Sequence, residues 1–350
     1  MHMDDFDYEL ADERIAQVPI EPRDAARLLD ASDPSSVVHR HVRDLPMLLD
    51  TGDVVVLNET KVIPARLRLQ KPSGGHVEVL LLERRADGPW LALVRPSKRV
   101  AVGTELVGTE RPLGSGLVVQ VGAVLEGGRR EVRLLSPTTH SMLLPLEEEA
   151  ALLAHGEAPL PPYISSKLAD PNRYQTVYAR LPGSVAAPTA GLHLTNPLLA
   201  QLEARGVVLH RVDLTVGLDT FRPVATDDPD NHVMHSERYD VPAATLDACA
   251  EARSAGRRVL VVGTTALRAV ESAAATGVLR GRTDIFIRGT YGFRVADHLL
   301  TNFHLPRSTL LLLVDAFAGP RWRDLYAIAM ADGYRFLSFG DAMLLQRRVT

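Results

Sequence analysis

Apolar residues are distributed along the chain in three textures. Asp53-Val54-Val55-Val56-Leu57-Asn58 is a continuous β-branched run that predicts a strand buried on both faces. It ends in polar Asn58, Glu59, Thr60 and Lys61, and polar groups at the end of a buried strand are where open α/β sheets bind ligands. From about residue 66 to 145 the runs shorten to Val77-Glu78-Val79-Leu80-Leu81-Leu82, Trp90-Leu91-Ala92-Leu93-Val94, Leu117-Val118-Val119-Gln120-Val121 and Glu131-Val132-Arg133-Leu134-Leu135. Breaks at Gly74-Gly75, Asp87-Gly88-Pro89 and Gly127-Gly128 separate them, which predicts a small antiparallel barrel or sandwich. After Pro161-Pro162 helices and strands alternate: strands over 207–212 and 258–262, a helix over 244–255 closed by Gly256, and a helix starting at Asn196-Pro197. The result is an α/β fold, a main domain with a mixed sheet over residues 1–65 and 146–350 and an inserted antiparallel β-domain over 66–145. Leu310-Leu311-Leu312-Leu313-Val314 reads as a further buried strand, with Asn302 to Thr309 as its polar entrance.

One stretch fits neither period. Residues 183–195, Gly-Ser-Val-Ala-Ala-Pro-Thr-Ala-Gly-Leu-His-Leu-Thr, are dominated by small side chains, which lets something approach the backbone. It reads either as a site loop leading into a helix, with His193 its one titratable group, or as a tight turn that packs small residues.

A length of 350 residues favours two domains. The longest aliphatic run is five residues, against about 20 needed to cross a bilayer. The acidic opening of Asp4, Asp5, Asp7 and Glu9 is unlike a secretory leader, and one cysteine, Cys249, excludes an intrachain disulfide. A cytoplasmic protein is expected. The net charge of -4 supplies no overall attraction to nucleic acid but leaves room for a local basic patch.

Candidate chemistry clusters in four places. Val261-Val262-Gly263-Thr264-Thr265 passes from strand to helix, and hydroxyls and free amides at a helix start form a polar-ligand site. Arg268 and Glu271 follow one turn apart, placed to pair with each other or to face a ligand together. His232-Val233-Met234-His235-Ser236-Glu237 sets two imidazoles and a carboxylate close together, suited to proton transfer near neutral pH. Its spacing is not that of a metal site, and no metal is expected. Asn302-Phe303-His304 and Tyr334-Arg335-Phe336-Leu337-Ser338-Phe339-Gly340-Asp341 complete the set, the aromatics of the last suiting either a core or a stacked base.

These segments together resemble the signature blocks of the S-adenosylmethionine:tRNA ribosyltransferase-isomerase family of queuosine synthesis. The resemblance runs through Asp5-Phe6-Asp7-Tyr8-Glu9-Leu10, Arg23-Asp24, Asn58 to Arg66, Arg173-Tyr174-Gln175-Thr176-Val177-Tyr178, the Ser184 to His193 loop, Met234-His235-Ser236-Glu237, Gly263-Thr264-Thr265, Thr301 to Thr309 and Gly340-Asp341-Ala342-Met343-Leu344. The chain differs from the family pattern at Leu194, Thr215, Asp219 and Arg288-Gly289-Thr290. The resemblance implies an α/β domain carrying a small β-barrel. It also implies transfer and isomerisation of the ribosyl portion of S-adenosyl-L-methionine onto 7-aminomethyl-7-deazaguanine at the wobble position of tRNA with a GUN anticodon. Epoxyqueuosine-tRNA, adenine and methionine are the products. Alternatives are a divergent paralogue that binds tRNA without catalysis, or one that uses S-adenosylmethionine on another acceptor. On the leading reading His235, Glu237, His304 and His193 are catalytic. Ser184, Thr189, Thr264, Thr265 and Arg268 bind the ribosyl donor, and Asn58, Lys61, Arg66, Asn302, Arg335 and Asp341 bind substrate, the last two nearer the tRNA base or the ribose. The protein is expected to act as a monomer.

Overall fold

A computed structural model describes residues 1–85, 87–108, 116–217, 224 and 226–348. The chain divides into two compact units, Met1–Lys61, Pro161–Leu181 and Ala187–Thr350 in the first, and Val62–Leu160 and Pro182–Ala186 in the second.

The chain begins with β1 (Arg27–Ala31), β2 (Val38–His41), β3 (Val54–Asn58) and β4 (Thr60–Val62). It then builds β5 (Arg66–Gln70), β6 (His76–Arg84), β7 (Trp90–Arg95), β8 (Glu105–Gly108), β9 (Val118–Val124) and β10 (Arg130–Leu135), followed by α1 (Pro145–His155) and the short β11 (Gly156–Glu157). Beyond β12 (Leu181–Ser184), which pairs with β4, come α2 (Asn196–Ala204), β13 (Val208–Leu214), β14 (Glu237–Asp240), α3 (Ala243–Ser254), β15 (Val259–Val262) and α4 (Thr264–Thr276). The chain closes with β16 (Arg280–Thr283), β17 (His298–Asn302), α5 (Thr309–Ala318), α6 (Trp322–Ala331) and β18 (Ala342–Gln346).

In the first unit nine strands form one mixed sheet in the order β16-β14-β13-β3-β15-β17-β18-β1-β2. Its centre is parallel: β13 and β15 flank β3, and β17 lies beside β15. β17 and β18 run antiparallel, with Asn302 opposite Ala342. The carboxyl ends of four parallel strands and the start of β18 therefore share one edge, and β3, with later strands added on either side, is a topological switch point. Every residue of β3 is buried, as its β-branched run demands. Val55, Leu57, Leu260, Val262 and Leu300 form one core with Leu198, Leu199 and Leu202 of α2.

In the second unit, β5, β6, β7, β10, β9 and β8 pair in that order, and a β5–β8 pairing closes them into a six-stranded antiparallel barrel with β11 added against β5. Alternate residues point inward, Leu67 and Leu69 on β5 and Val77, Val79 and Leu81 on β6. That closing pair decides between barrel and sandwich.

One expectation fails. The run 310–314 is no strand but the first half of α5, whose start is capped by Ser308, its hydroxyl accepting from the Leu311 amide at 3.2 Å. A short all-apolar run does not distinguish a buried helix from a buried strand. The strand in this part of the sheet is β17, immediately upstream of the polar segment.

Candidate functional site

At the carboxyl edge of the sheet, Asn58 ends β3 fully buried. Its amide donates to the Leu214 carbonyl at 3.0 Å and to Thr265 Oγ1 at 3.2 Å, and its Oδ1 accepts from the amides of Thr60 at 3.2 Å and Leu214 at 3.1 Å. Two donors and two acceptor sites are thereby filled, so Asn58 fastens β3 to β13 and to the start of α4. Gly263, at φ 89°, turns the chain from β15 into that helix, a conformation side chains other than glycine's resist.

Beside α4 lies a charged network. Glu237, the first residue of β14, is buried, and its Oε1 accepts from His235 Nε2 at 3.0 Å and from the Gly217 amide at 3.2 Å. Its Oε2 pairs with Arg268 Nη1. Burial opposes ionisation of Glu237, but the Arg268 guanidinium together with the His235 and Gly217 hydrogen bonds outweighs it and holds the carboxyl below its ordinary range. Arg268 is only 4 % exposed, and its Nε and Nη2 have no hydrogen-bond partner among the described residues. Arg268 and Glu271, one turn apart, do not pair. Glu271 instead accepts from the amides of Arg294 at 2.8 Å, Val295 at 3.0 Å and Ala296 at 3.2 Å, fixing the segment that leads into β17.

A second cluster at the same edge is neutral. Asn302, the last residue of β17, donates to His193 Nε2 at 2.9 Å and accepts from the Thr189 hydroxyl at 3.1 Å. An amide nitrogen only donates, so His193 Nε2 is unprotonated. Burial, reinforced by the charges of Arg335, Arg23 and Arg173, pushes the His193 pKa down to about 4. His304 Nε2 lies 2.9 Å from Thr301 Oγ1, and burial pushes its pKa down to about 3. Its backbone is held on both sides, the carbonyl accepting from the Tyr8 hydroxyl and the amide donating to Tyr326 Oη at 2.9 Å. Tyr163, Thr189, Asn302, His304, Ser308 and Ser338 line a pocket here.

The small-residue loop reaches that pocket through Thr189, the first residue of a 3-10 turn over Thr189–His193. What comes close to its backbone at Gly191 is another side chain: a Cβ there would stand 2.0 Å from the Tyr178 hydroxyl. Leu194 is fully buried in the core with Leu198 and Leu202, so that departure from the family pattern concerns packing.

The structure thus gathers His235, Glu237 and Arg268 in one cluster and Thr189, His193, Asn302 and His304 in another, with Thr265 fastened to Asn58 and Thr264 beside it at the start of α4. Other residues are engaged elsewhere. Both Asp341 oxygens accept backbone amides, from Arg27 and Arg335 at 2.8 Å each. The Arg335 side chain donates to the carbonyls of Phe339 and, at 3.2 Å, Val18. Lys61 is half-buried in β4. Ser184 and Arg66 belong to the second unit, where the Ser184 hydroxyl donates to the Ala186 carbonyl at 2.7 Å and Arg66 on β5 stands 3.9 Å from Glu78. Tyr334, Phe336 and Phe339 are core residues rather than an exposed stacking surface. The Thr215 amide donates to the Arg238 carbonyl at 2.9 Å, and Asp219 lies outside the described residues. Sequence reasoning missed Gly217 and Tyr163, and took Ser338 only as part of an aromatic segment. Tyr163, whose hydroxyl lies 2.6 Å from Ser338 Oγ, follows a proline pair and carries no local signal of a pocket. Among the described residues no group of three His, Cys, Asp or Glu side chains is placed to hold a metal ion, and no helix is long and apolar enough to cross a membrane.

The profile of a family described as "Queuosine biosynthesis protein" matches residues 3–345. The chain is 50 % identical to an S-adenosylmethionine:tRNA ribosyltransferase-isomerase of Thermus thermophilus, over 97 % of this chain and 98 % of that one. To the protein of the same name from Moorella thermoacetica it is 49 % identical, over 99 % and 100 %. Among solved structures, the S-adenosylmethionine tRNA ribosyltransferase of Thermotoga maritima is 36 % identical, covers 97 % of this chain and 99 % of its own, and superposes with a TM-score of 0.54.

Proposed function

The chain belongs to the queuosine biosynthesis protein family, and we propose that it is an S-adenosylmethionine:tRNA ribosyltransferase-isomerase. Its substrate is a tRNA of GUN anticodon carrying 7-aminomethyl-7-deazaguanine at the wobble position, and it acts in the cytoplasm. The ribosyl portion of S-adenosylmethionine passes to the base amine to give epoxyqueuosine, while adenine and methionine leave. The observation that carries this reading is a charged and a neutral cluster at the carboxyl edge of one sheet, in a chain half identical over nearly its whole length to enzymes of that name.

The chemistry requires a base for the carbon beside the sulfonium, a neutral amine as nucleophile, and hydrogen bonds for the departing adenine. His235 meets the first requirement, its ring oriented by an ionised Glu237 that also steadies the imidazolium formed when it accepts a proton. Thr264, Thr265 and Arg268 serve the donor at the start of α4. His193 and His304 stay neutral at pH 7 and, with Asn302 and Thr189, offer an uncharged pocket to a nucleobase.

The test is adenine release from S-adenosylmethionine with and without precursor tRNA. Release that requires the tRNA, slowed in single turnover by His235→Ala, is expected. Binding of the tRNA with no release, or release driven by some other acceptor, would defeat the proposal.

A further inference from the structure

We propose that the unpaired Nε/Nη2 edge of Arg268 seats the carboxylate of the methionine half of the sulfonium substrate, an inference that rests on the function proposed above. Arg268 is buried and spends Nη1 on Glu237, while Nε and Nη2 reach no acceptor among the described residues. Those two nitrogens form one side of the guanidinium, with parallel N–H groups that match an oxyanion. The chain uses the same side elsewhere, where Arg258 sets Nε and Nη2 on Asp53 Oδ2 at 3.0 and 2.7 Å. A buried cation with two unmet donors needs a partner, and the first turn of α4 adds to the preference for a negative one.

Size and charge narrow the partner. At 4 % exposure Arg268 is too deeply buried for a phosphate on the backbone of a folded tRNA, which leaves a small charged group as its partner. Within S-adenosylmethionine the sulfonium and ammonium are repelled by a guanidinium, and the adenine and ribose are neutral, so only the carboxylate complements it. Thr264 lies one turn before Arg268 on the same helix face, beside this seat. The carboxylate so placed orients the sulfonium end of the donor relative to Glu237, which holds Nη1 of the same guanidinium, and to His235 bound to the other oxygen of Glu237.

The test compares binding of S-adenosylmethionine with that of its decarboxylated analogue by calorimetry, in the wild type and in Arg268→Lys, which keeps the charge beside Glu237 but lacks the two-nitrogen edge. The wild type is expected to favour the carboxylated ligand by roughly 10- to 100-fold. In Arg268→Lys most of that preference disappears while affinity for the analogue is kept. Equal affinity of the wild type for both ligands overturns the proposal, whether or not the variant folds. Equal weakening of both ligands in a variant that melts cooperatively overturns it as well. Failure of the wild type to bind S-adenosylmethionine at all is a different result, and it removes the enzymatic reading together with this one.

Discussion

Glu237 and His304 are both buried at one edge of the same sheet, yet one is held charged and the other neutral. Burial acts against charge at both. At Glu237 it meets a guanidinium, an imidazole and a backbone amide, which together outweigh it. Among the described residues the His304 ring nitrogen Nε2 meets the Thr301 hydroxyl, and at His193 the partner is an amide while the surrounding charges are cationic. Partners rather than depth set the charge state of a buried group. One edge can therefore hold a charged cluster and a neutral one side by side.

The largest effect is expected from removing the countercharge. Glu237→Gln leaves Arg268 buried beside a neutral amide, and unfolding in denaturant should show a loss of about 3–5 kcal/mol. Because the folded carboxyl lies below its unfolded value, its contribution is present above about pH 4.3 and is lost as the pH falls through the lowered folded value, a limb that Glu237→Gln should lack. A variant as stable as wild type would mean that the network is not held by charge.

The neutral pocket predicts a loss of stability in acid as well, but set in a higher window. The folded values of His193 and His304 are depressed, to about 4 and about 3, so below about pH 6.5 the unfolded chain takes up protons that the folded pocket refuses. Stability then falls with acid by about 1.4 kcal/mol per pH unit for each ring, while Glu237 stays ionised through most of this range. His304→Gln should reduce the slope between pH 6 and 5, read from denaturant unfolding at each pH, by roughly one proton's worth. An unchanged slope would show that His304 titrates as an ordinary imidazole.

A further effect concerns the 3-10 turn that carries Thr189 to the pocket. Gly191→Ala should cost about 1–3 kcal/mol by overpacking against Tyr178, and Tyr178→Phe in the same chain should restore part of it, because the hydroxyl is the atom met first. A neutral Gly191→Ala would show that the turn has room to move away from Tyr178.

Much of the architecture was legible along the chain. The run at 53–58, four of the six barrel strands, the helix near 244–255 and the strand-to-helix crossing at Gly263 are set by residues within a few positions of one another and appear at or within about three residues of their expected places, whereas β5 and β8 had no run that announced them. The run at 310–314 was not legible, because consecutive leucines satisfy a buried helix as well as a buried strand. The polar strand ends were visible as polar, but their duties were not. Asn58 and Asp341 look alike on paper as ligand groups, and both are consumed in tying strands together.

By itself, then, the sequence determined where strands and helices lie, that polar groups gather at strand ends, and that residues 183–195 admit a close approach. Tertiary structure decided what approaches and which charges meet. Arg268 has Glu271 one turn away along its helix, and a chain read locally would pair them. Sheet order instead brings β14 and its Glu237 to the guanidinium, while Glu271 turns to the backbone ahead of β17. Side-chain type and period act over a few residues, whereas the partner of a buried charge is chosen by elements folded together from distant parts of the chain.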